Sequence, residues 1–303
     1  MPQTKAQWAE ALTPSIREWF SIGYAQRPTM IPQLFDVLTS ESDHEDFMSF
    51  GAIAPDAWDE YKKTGRVPQV GFDKGYKTTF IHEEFVVEYQ IQKTLIEDSK
   101  YPQITSDVSQ LGDSAALKRE KDAMSVFINA AASGFNGGDG VPLCSDSHPL
   151  SPTKSTITQD NLDALDLTPE NVELVRQKMR GVKDDTNNLA GVQPNLLLVA
   201  DGGDLENKAK VITQTPNKVG SADNDINAQQ GRFSYLVLPM LNTTTQWFMV
   251  DSIKMKQSLK WFDRIPLSVV PKVEDKTLFA TWIARMRYSL GWRDWRLISR
   301  GNA

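Results

Sequence analysis

The residue types best suited to nucleophilic or metal chemistry lie together in one short segment, Cys144-Ser145-Asp146-Ser147-His148-Pro149. A thiol and an imidazole can act as nucleophile and general base, or as two ligands of a zinc ion. Catalytic partners are usually brought together by the fold and not by adjacency, however, and zinc would need two further ligands from distant residues. Asp and Ser at this spacing more often cap the backbone of a turn. We therefore predict no catalytic residue, no metal site and no cofactor, and we keep a hydrolase that uses Cys144 and His148 as the alternative.

A second segment, Asp201-Gly202-Gly203-Asp204, lies where a phosphate-binding loop would lie, between a predicted strand and a predicted helix. It lacks the spacing of both common phosphate-binding glycine motifs. Its two aspartates would repel a phosphate group, although they stabilise the positive end of a helix dipole. The segment therefore predicts a structural turn.

Charge is divided unevenly along the chain. The 303 residues carry 33 Lys and Arg and 39 Asp and Glu, a formal net charge of −6. Residues 251–303 hold eleven of the basic but only five of the acidic residues. Their arginines are interleaved with tryptophans, a composition that can form a nucleic-acid-binding face. Because the rest of the chain is acidic, we instead predict that these arginines pair with acidic groups of this chain or of a neighbouring copy.

The composition, 40% hydrophobic and 24% charged, is that of a globular chain. No window approaches the roughly 18 apolar residues of a membrane span. Glu10, Arg17 and Glu18 interrupt the region where a signal peptide needs an apolar core. The single cysteine, Cys144, fits a reducing compartment. We therefore expect a cytoplasmic origin and no membrane association.

The first fifty residues have the character of an arm. Thr13 is the predicted N-cap of a short helix with Pro14 at its first position, and Ile16, Trp19 and Phe20 then share one apolar face. A segment this short cannot bury these side chains within itself, so we expect it to lie against another element.

Strand signals follow from Trp58 to Gln92. Phe85, Val87 and Tyr89 alternate with polar neighbours. Turn signals stand at Lys63-Thr64-Gly65 and Asp73-Lys74-Gly75. The pattern predicts an extended hairpin, which is either a ribbon supported by another sheet or subunit, or an edge hairpin of the chain's own sheet.

The longest helical pattern runs from Thr105 to Ala132. At about 1.5 Å per residue this helix would extend about 42 Å and span the molecule, unless Gly112 interrupts it. A second helix is predicted between its cap Thr168 and its terminator Gly181. The remaining predicted elements are a strand at 196–200, a helix at 205–212, strands at 233–238 and 246–250, and alternating strands at 265–269 and 278–288 joined by a turn at 274–276. This mixture predicts an α+β fold.

In this order of elements the chain resembles the major capsid proteins of tailed bacteriophages with the Hong Kong 97-type fold. It is most similar to the Mu-like major head subunits. The similar strings are Gly138-Asp139-Gly140-Val141-Pro142-Leu143-Cys144-Ser145-Asp146-Ser147-His148-Pro149, Pro194-Asn195-Leu196-Leu197-Leu198-Val199 followed by Leu205-Glu206, and the arginine- and tryptophan-rich end. Their order and spacing cover nearly the whole chain.

The resemblance implies both boundaries and a function. The implied parts are an N-terminal arm at 1–50, an extended loop (β-hairpin) at 51–92, a peripheral domain at 93–160 with its spine helix at 105–132, an axial domain at 161–251, and return strands of the peripheral domain with the C-terminal end at 252–303. The implied function is a structural protein without an active site that self-assembles as hexamers and pentamers into an icosahedral shell around packaged double-stranded DNA. Another virion component, such as a portal or a decoration protein, is a further alternative.

We expect subunit contacts from apolar residues of the arm and hairpin and from two arginines of the C-terminal end. These residues are Trp19, Phe20, Phe85, Val87, Tyr89, Arg285 and Arg293. Some members of the family join a loop lysine to an asparagine of a neighbour. Lys74 and Lys77 are the candidate lysines here, but no matching asparagine and carboxylate motif is evident, so we predict no crosslink.

The implied partners are other copies of the chain, a separate scaffold protein, a portal and, optionally, a decoration protein. A separate scaffold is expected because the apolar arm begins almost at Met1. The DNA would be enclosed without sequence-specific binding. The protein would be made in the host bacterial cytoplasm and would reside in the virion.

Overall fold

The computed structural model describes residues 5–50, 53, 55–71, 74–92, 94–95, 98, 100–218, 225–241, 243–272 and 279–302. Its helices are α1 (Lys5–Gln26), α2 (Ile31–Leu34), α3 (Glu60–Thr64), α4 (Tyr101–Ile128), α5 (Pro169–Arg180), α6 (Leu205–Gln214) and α7 (Ser252–Ser258), with a 3-10 helix at Pro55–Asp59. Its strands are β1 (Asp36–Thr39), β2 (His44–Phe50), β3 (Lys74–Ile81), β4 (Glu83–Gln92), β5 (His148–Pro149), β6 (Thr158–Gln159), β7 (Leu162–Asp163), β8 (Leu196–Ala200), β9 (Ser234–Leu238), β10 (Gln246–Val250), β11 (Leu259–Lys272), β12 (Phe279–Trp292) and β13 (Ile298–Asn302). Helices and strands are mixed along the chain, which confirms the α+β prediction. Within the described ranges, no helix is both long and apolar enough to cross a membrane.

Two larger sheets organise the fold. The four-stranded sheet has the strand order β1-β11-β12-β4, and the five-stranded sheet has the order β7-β13-β10-β8-β9. One face of the four-stranded sheet is covered by α1 and α4. Phe20 of α1, Val108 of α4 and Trp282 of β12 are buried there in one cluster. Removal of these apolar surfaces from water stabilises the packing of the two helices on the sheet.

The five-stranded sheet is built around a parallel unit of β8, α6 and β9, to which β10 and β13 add in antiparallel pairing. Residues 197–200 and 247–250 of its central strands are completely buried. Such continuous apolar runs are typical of strands that are covered on both faces. Phe127 near the end of α4 packs edge-on against Phe248 of β10, with 5.4 Å between ring centroids. One hydrophobic core therefore joins α4 to this sheet.

The predicted start of the first helix is wrong, because α1 begins at Lys5 and Pro14 lies inside it. A proline inside a helix removes one backbone hydrogen bond, so the helix must be held by its tertiary contacts. Thr13 is not an N-cap. Its buried hydroxyl instead accepts a hydrogen bond from Nε1 of Trp282 (3.1 Å).

The longest helix was predicted four residues too late, since α4 starts just before Pro102, a residue tolerated in a first helical turn. The interruption considered at Gly112 does not occur, because α1 and α4 cross there. A Cβ atom placed on Gly112 would lie 2.2 Å from the carbonyl oxygen of Phe20, and one on Gly23 would lie 1.9 Å from that of Ser109. The two backbones approach this closely because neither glycine has a side chain.

The predicted hairpin is divided between two places. β2 pairs with β3 as a separate antiparallel ribbon that begins before residue 51. β4, which contains Phe85, Val87 and Tyr89, pairs with β12 over ten residues as an edge strand of the four-stranded sheet. β4 is thus at the edge of the chain's own sheet, as the second possibility had it, but its partner is β12 and not a second strand of a hairpin. Alternation indicates a strand but not its partner. Lys74 begins β3, so the expected 73–75 turn is not a turn between paired strands, and residue 73 lies outside the described residues.

The predicted elements after α4 lie close to their sequence signals, whereas α7 and β13 were not predicted. Oγ1 of Thr168 accepts a hydrogen bond from the backbone N–H of Asn171 (3.2 Å) and caps α5, which ends at Gly181 as predicted. The 201–204 segment is a structural turn in which Gly203 has a φ of +66°. The predicted 274–276 turn and residue 278 lie outside the described residues.

Candidate assembly surfaces

The Cys144–His148 segment does not have the environment of a nucleophilic site. Cys144 is buried, and this burial raises the pKa of its thiol to about 12. Because the thiolate is the reactive form, such a thiol is inert at neutral pH. Within the ranges that the structure covers, no group of three or more His, Cys, Asp and Glu side chains could hold a metal ion.

His148 takes part in a buried hydrogen-bond network instead. Its Nδ1–H donates to Oδ2 of Asp139 (2.7 Å), and its Nε2–H donates to Oδ1 of Asn161 (3.1 Å). The orientation of the Asn161 amide is settled by its Nδ2, which donates to the carbonyl oxygens of Leu143 (2.9 Å) and Ile298 (2.8 Å). The imidazole is therefore held between two oxygen atoms from different parts of the chain.

The base of the β2–β3 ribbon is attached to the four-stranded sheet by aromatic packing. Phe47 of β2 stacks on Phe262 of β11 with 5.6 Å between centroids, and Phe80 of β3 lies 5.3 Å from the same ring. The guanidinium of Arg293 lies 4.5 Å from the Phe47 ring centroid, a cation–π contact. These contacts hold the ribbon on the sheet face opposite to α4, because Phe262 follows Trp261, whose ring contacts Arg119 of α4.

The outer end of the ribbon, described at residues 53 and 55–71, presents apolar side chains to solvent. Trp58 and Val67 are each 81% exposed, and Tyr61 is also exposed. With Pro68 and Val70 they line a shallow groove. A contiguous apolar patch of this kind marks a protein contact surface. We call residues 53–71 the loop tip.

Sequence reasoning did not single out the loop tip residues. The strand prediction from Trp58 onward is wrong here, because residues 55–59 form a 3-10 helix and residues 60–64 form α3. The available signal was the occurrence of Trp58 and Tyr61 in a short segment bounded by the turn residue Gly65. That glycine ends α3 with a φ of +69°, as the turn signal at 63–65 indicated.

The apolar residues predicted at subunit contacts already have partners within the chain. Phe20 is 4% exposed in the cluster under the four-stranded sheet, and Trp19 is partly buried against it. Phe85 stacks on Tyr288 (4.7 Å), and Tyr89 donates its hydroxyl to Asp107. Val87 is the most exposed of the five, at 52%. Their intersubunit role remains a prediction.

The two predicted arginines also make contacts within the chain. Nε of Arg285 donates to Glu84 of the neighbouring strand, and Arg293 covers Phe47. Arg296 of the same basic end forms a largely buried ion pair with Asp185 (2.6 Å). Pairing with acidic groups of this chain is thus observed for Arg285 and Arg296, whereas pairing with a neighbour stays a prediction.

Polar contacts fasten the N-terminal arm to α4. The guanidinium of Arg27 donates two hydrogen bonds of 2.8 Å to Asp113. The buried carboxylate of Glu120 accepts from the hydroxyl of Thr29 and from the backbone N–H of Met30 (3.2 Å). The element against which the arm lies is therefore the spine helix of its own chain.

Comparison with known proteins identifies the class of this architecture. A model of the family described as phage capsid protein matches residues 88–300. No curated protein is similar to the chain. A chain of the procapsid of bacteriophage JBD30 is 14% identical, with 97% of this chain and 74% of that chain covered and a TM-score of 0.53. A capsid chain of cyanophage P-SCSP1u is 12% identical, with 91% and 88% covered and a TM-score of 0.56. The virus-like particle of Pyrococcus furiosus is 9% identical, with 96% and 99% covered and a TM-score of 0.52.

At these identities the solved structures establish the fold, which confirms the predicted Hong Kong 97-type capsid fold. The family match runs from β4 to β13 and so includes the spine helix and both larger sheets. The chain therefore belongs to the phage capsid protein family and is a structural, major capsid protein of the virion.

Proposed function

We propose that copies of this chain assemble as hexamers and pentamers into a closed icosahedral shell around packaged double-stranded DNA. The observation that carries the proposal is the loop tip, an apolar surface at the end of a projecting ribbon. The eight residues of β3 extend about 26 Å at roughly 3.3 Å per residue. Trp58 at the end of this ribbon is 81% exposed, so its side chain is available to a neighbouring copy and is not part of the chain's own core.

The domain assignment is part of this proposal. The peripheral parts at 93–160 and 252–303 supply β11 and β12 of the four-stranded sheet, and the axial domain at 161–251 supplies β8, β9 and β10 of the five-stranded sheet, which β13 of the C-terminal end joins. We end the arm at residue 43 instead of 50, because β2 pairs with β3 in the ribbon. We assign the extended loop to residues 44–81 instead of 51–92, because β4 belongs to the four-stranded sheet. The similar strings found in the sequence favour the Mu-like branch of the family.

Further partners follow from the same function. We propose a separate scaffold protein, a portal and, optionally, a decoration protein, with synthesis in the host bacterial cytoplasm. The acidic balance of the chain, −6, supports enclosure of DNA without tight binding. No catalytic role is proposed, because the thiol that the hydrolase alternative needs has a pKa of about 12.

The test is assembly with and without the scaffold, followed by electron microscopy and by mass measurement. Wild-type protein should form shells, tubes or capsomer rings. Trp58→Ser should remain folded but fail to close shells, because it removes the largest apolar side chain of the loop tip. Ile253→Ser, an equally exposed apolar residue on α7, is the matched control and should assemble.

Three kinds of result would count against the proposal. Normal shells from Trp58→Ser would show that the loop tip is not needed for assembly. A wild-type protein that stays a monomer or small dimer in the presence of scaffold would contradict the shell function. Rings alone would indicate a portal, and binding to preformed shells would indicate a decoration protein.

A further inference from the structure

We infer that the buried network of Asp139, His148 and Asn161 positions the base of the β2–β3 ribbon and thereby sets the direction in which the loop tip projects. Its consequence for assembly rests on the proposed function, but the positioning itself belongs to the isolated subunit. The inference also gives a role to the 138–149 segment, which neither catalysis nor metal binding explains.

The first step is a direct contact between β3 and the turn at 137–140. A Cβ atom placed on Gly138 would lie 2.5 Å from Oγ1 of Thr78 and 2.7 Å from the carbonyl oxygen of Lys77. A Cβ atom on Gly137 would lie 2.6 Å from Nε1 of Trp292. The turn therefore lies between the ribbon and the end of β12, with no side chain on Gly137 or Gly138 to separate the backbones.

The second step is the attachment of this turn to His148. Asp139 lies between the two glycines that bound its turn, and its largely buried carboxylate accepts the 2.7 Å hydrogen bond from Nδ1–H of His148. Gly140 follows with a φ of +83°, a conformation that favours glycine. Charge-assisted hydrogen bonds are short and strong, so this bond limits the movement of the turn.

The third step leads from His148 to the five-stranded sheet. The imidazole is completely buried, stacks on Trp295 with 4.0 Å between centroids, and donates from Nε2 to Asn161. The backbone carbonyl of Asn161 in turn accepts from the N–H of Arg300 in β13 (2.9 Å). A continuous series of contacts therefore runs from β13 through Asn161, His148 and Asp139 to β3.

A role in positioning follows from how the ribbon is held. Phe47 and Phe80 attach it at one point, by aromatic packing on Phe262. The contact at Gly138 adds a second attachment, between backbone atoms, whose place is determined by the five-stranded sheet. Two separate attachments define a direction, and a shell needs the projecting and receiving surfaces of each subunit in a constant relation.

The experiment compares hydrogen–deuterium exchange in unassembled subunits. Asp139→Ala should raise exchange of the 74–81 amides by about tenfold, the size expected for loss of one buried hydrogen bond, while the 196–200 amides stay protected. Asp139→Asn keeps an acceptor oxygen and should restore most of the protection. Thr13→Val, which removes the buried hydrogen bond from Trp282 beneath the other sheet face, is the matched control and should leave 74–81 unchanged.

Unchanged exchange of 74–81 in folded Asp139→Ala, or an equal increase in Thr13→Val, would overturn the inference. If Asp139→Ala does not fold, Gly138→Ala tests the same contact, because its methyl group would push against Thr78 without touching the buried network. Unchanged exchange of the 74–81 amides in Gly138→Ala would also overturn the inference. Exchange in the subunit does not depend on shell formation. A failure of this inference is therefore distinguishable from a failure of the proposed function.

Discussion

Replacement of Gly112 by alanine tests the crossing of α1 and α4, on which the position of the N-terminal arm depends. The added methyl group would lie 2.2 Å from the carbonyl oxygen of Phe20 and 2.8 Å from the backbone nitrogen of Tyr24. Both neighbours are backbone atoms of α1, so no side-chain rotation can relieve the contact. The helices must separate or tilt.

The magnitude follows from two opposed effects. Alanine favours the helical state over glycine by about 1 kcal/mol. Against this, carbon and oxygen normally stay about 3.3 Å apart, so α1 would have to move by about 1 Å. Overpacking of this kind costs about 1–3 kcal/mol, and here at least the upper value applies because the obstacle is backbone. The displacement also disturbs the Arg27–Asp113 ion pair, whose bonds are 2.8 Å long. We expect a net loss of about 2 kcal/mol.

The assay is urea unfolding of unassembled subunits, followed by circular dichroism. With an m-value of about 3 kcal/mol per M, the midpoint should fall by about 0.7 M. Ser114→Ala, at an exposed site on the same helix, is the control and should stay within about 0.5 kcal/mol of wild type. Wild-type or greater stability of Gly112→Ala would refute the close crossing, because only the gain in helix propensity would then remain.

Three further predictions concern single side chains. Arg119→Met leaves the Asp263 carboxylate without its bidentate partner in a largely buried site and should destabilise the subunit by about 3 kcal/mol in the urea assay. The double variant with Asp263→Leu should recover part of the loss. A single variant as stable as wild type would contradict the ion pair. Glu173 accepts hydrogen bonds from Arg176, which lower the pKa of its carboxyl to about 2. The stabilising contribution of Glu173 is therefore complete above about pH 4.5 and is lost as the pH falls toward 2. Glu173→Gln should flatten the pH dependence of the free energy of unfolding in that interval, and an unchanged slope would show that other carboxyl groups cause this dependence. Burial raises the pKa of the Cys144 thiol to about 12, so a disulfide reagent at pH 8 should modify it only in urea, and rapid modification of native subunits would contradict its burial.

Local signals predicted local structure well. The capping pair Thr168–Pro169 and the following Gly181 bound α5, and the apolar runs of β8 and β10 are where the alternation and burial patterns placed them. These predictions are correct because caps, terminators and continuous apolar runs act through neighbours in the chain. The start of α1 was missed because burial against α4 and the four-stranded sheet overrides the signal of Pro14.

Partners across the chain were not predictable in the same way. The alternation of Phe85, Val87 and Tyr89 indicates a strand equally well in a projecting ribbon or beside β12. Similarly, the sequence alone leaves a catalytic role open for Cys144 and His148, because it does not give their surroundings. Burial of the thiol and the bonds of the imidazole to Asp139 and Asn161 decide against chemistry.

The mixture of elements, the long spine helix, the acidic balance of the chain and the likeness to phage capsid proteins are all evident from the amino-acid sequence, since each depends on residue type and local order. Tertiary structure alone decided which strands pair, that the arm lies on its own spine helix, and that the loop tip around Trp58 is left exposed. The physical reason is that register, helix crossing and exposure are set by contacts between distant residues. At Gly112 and Gly138 those contacts depend on the absence of a side chain. The need for glycine at these two positions can be recognised only from the backbone that lies opposite.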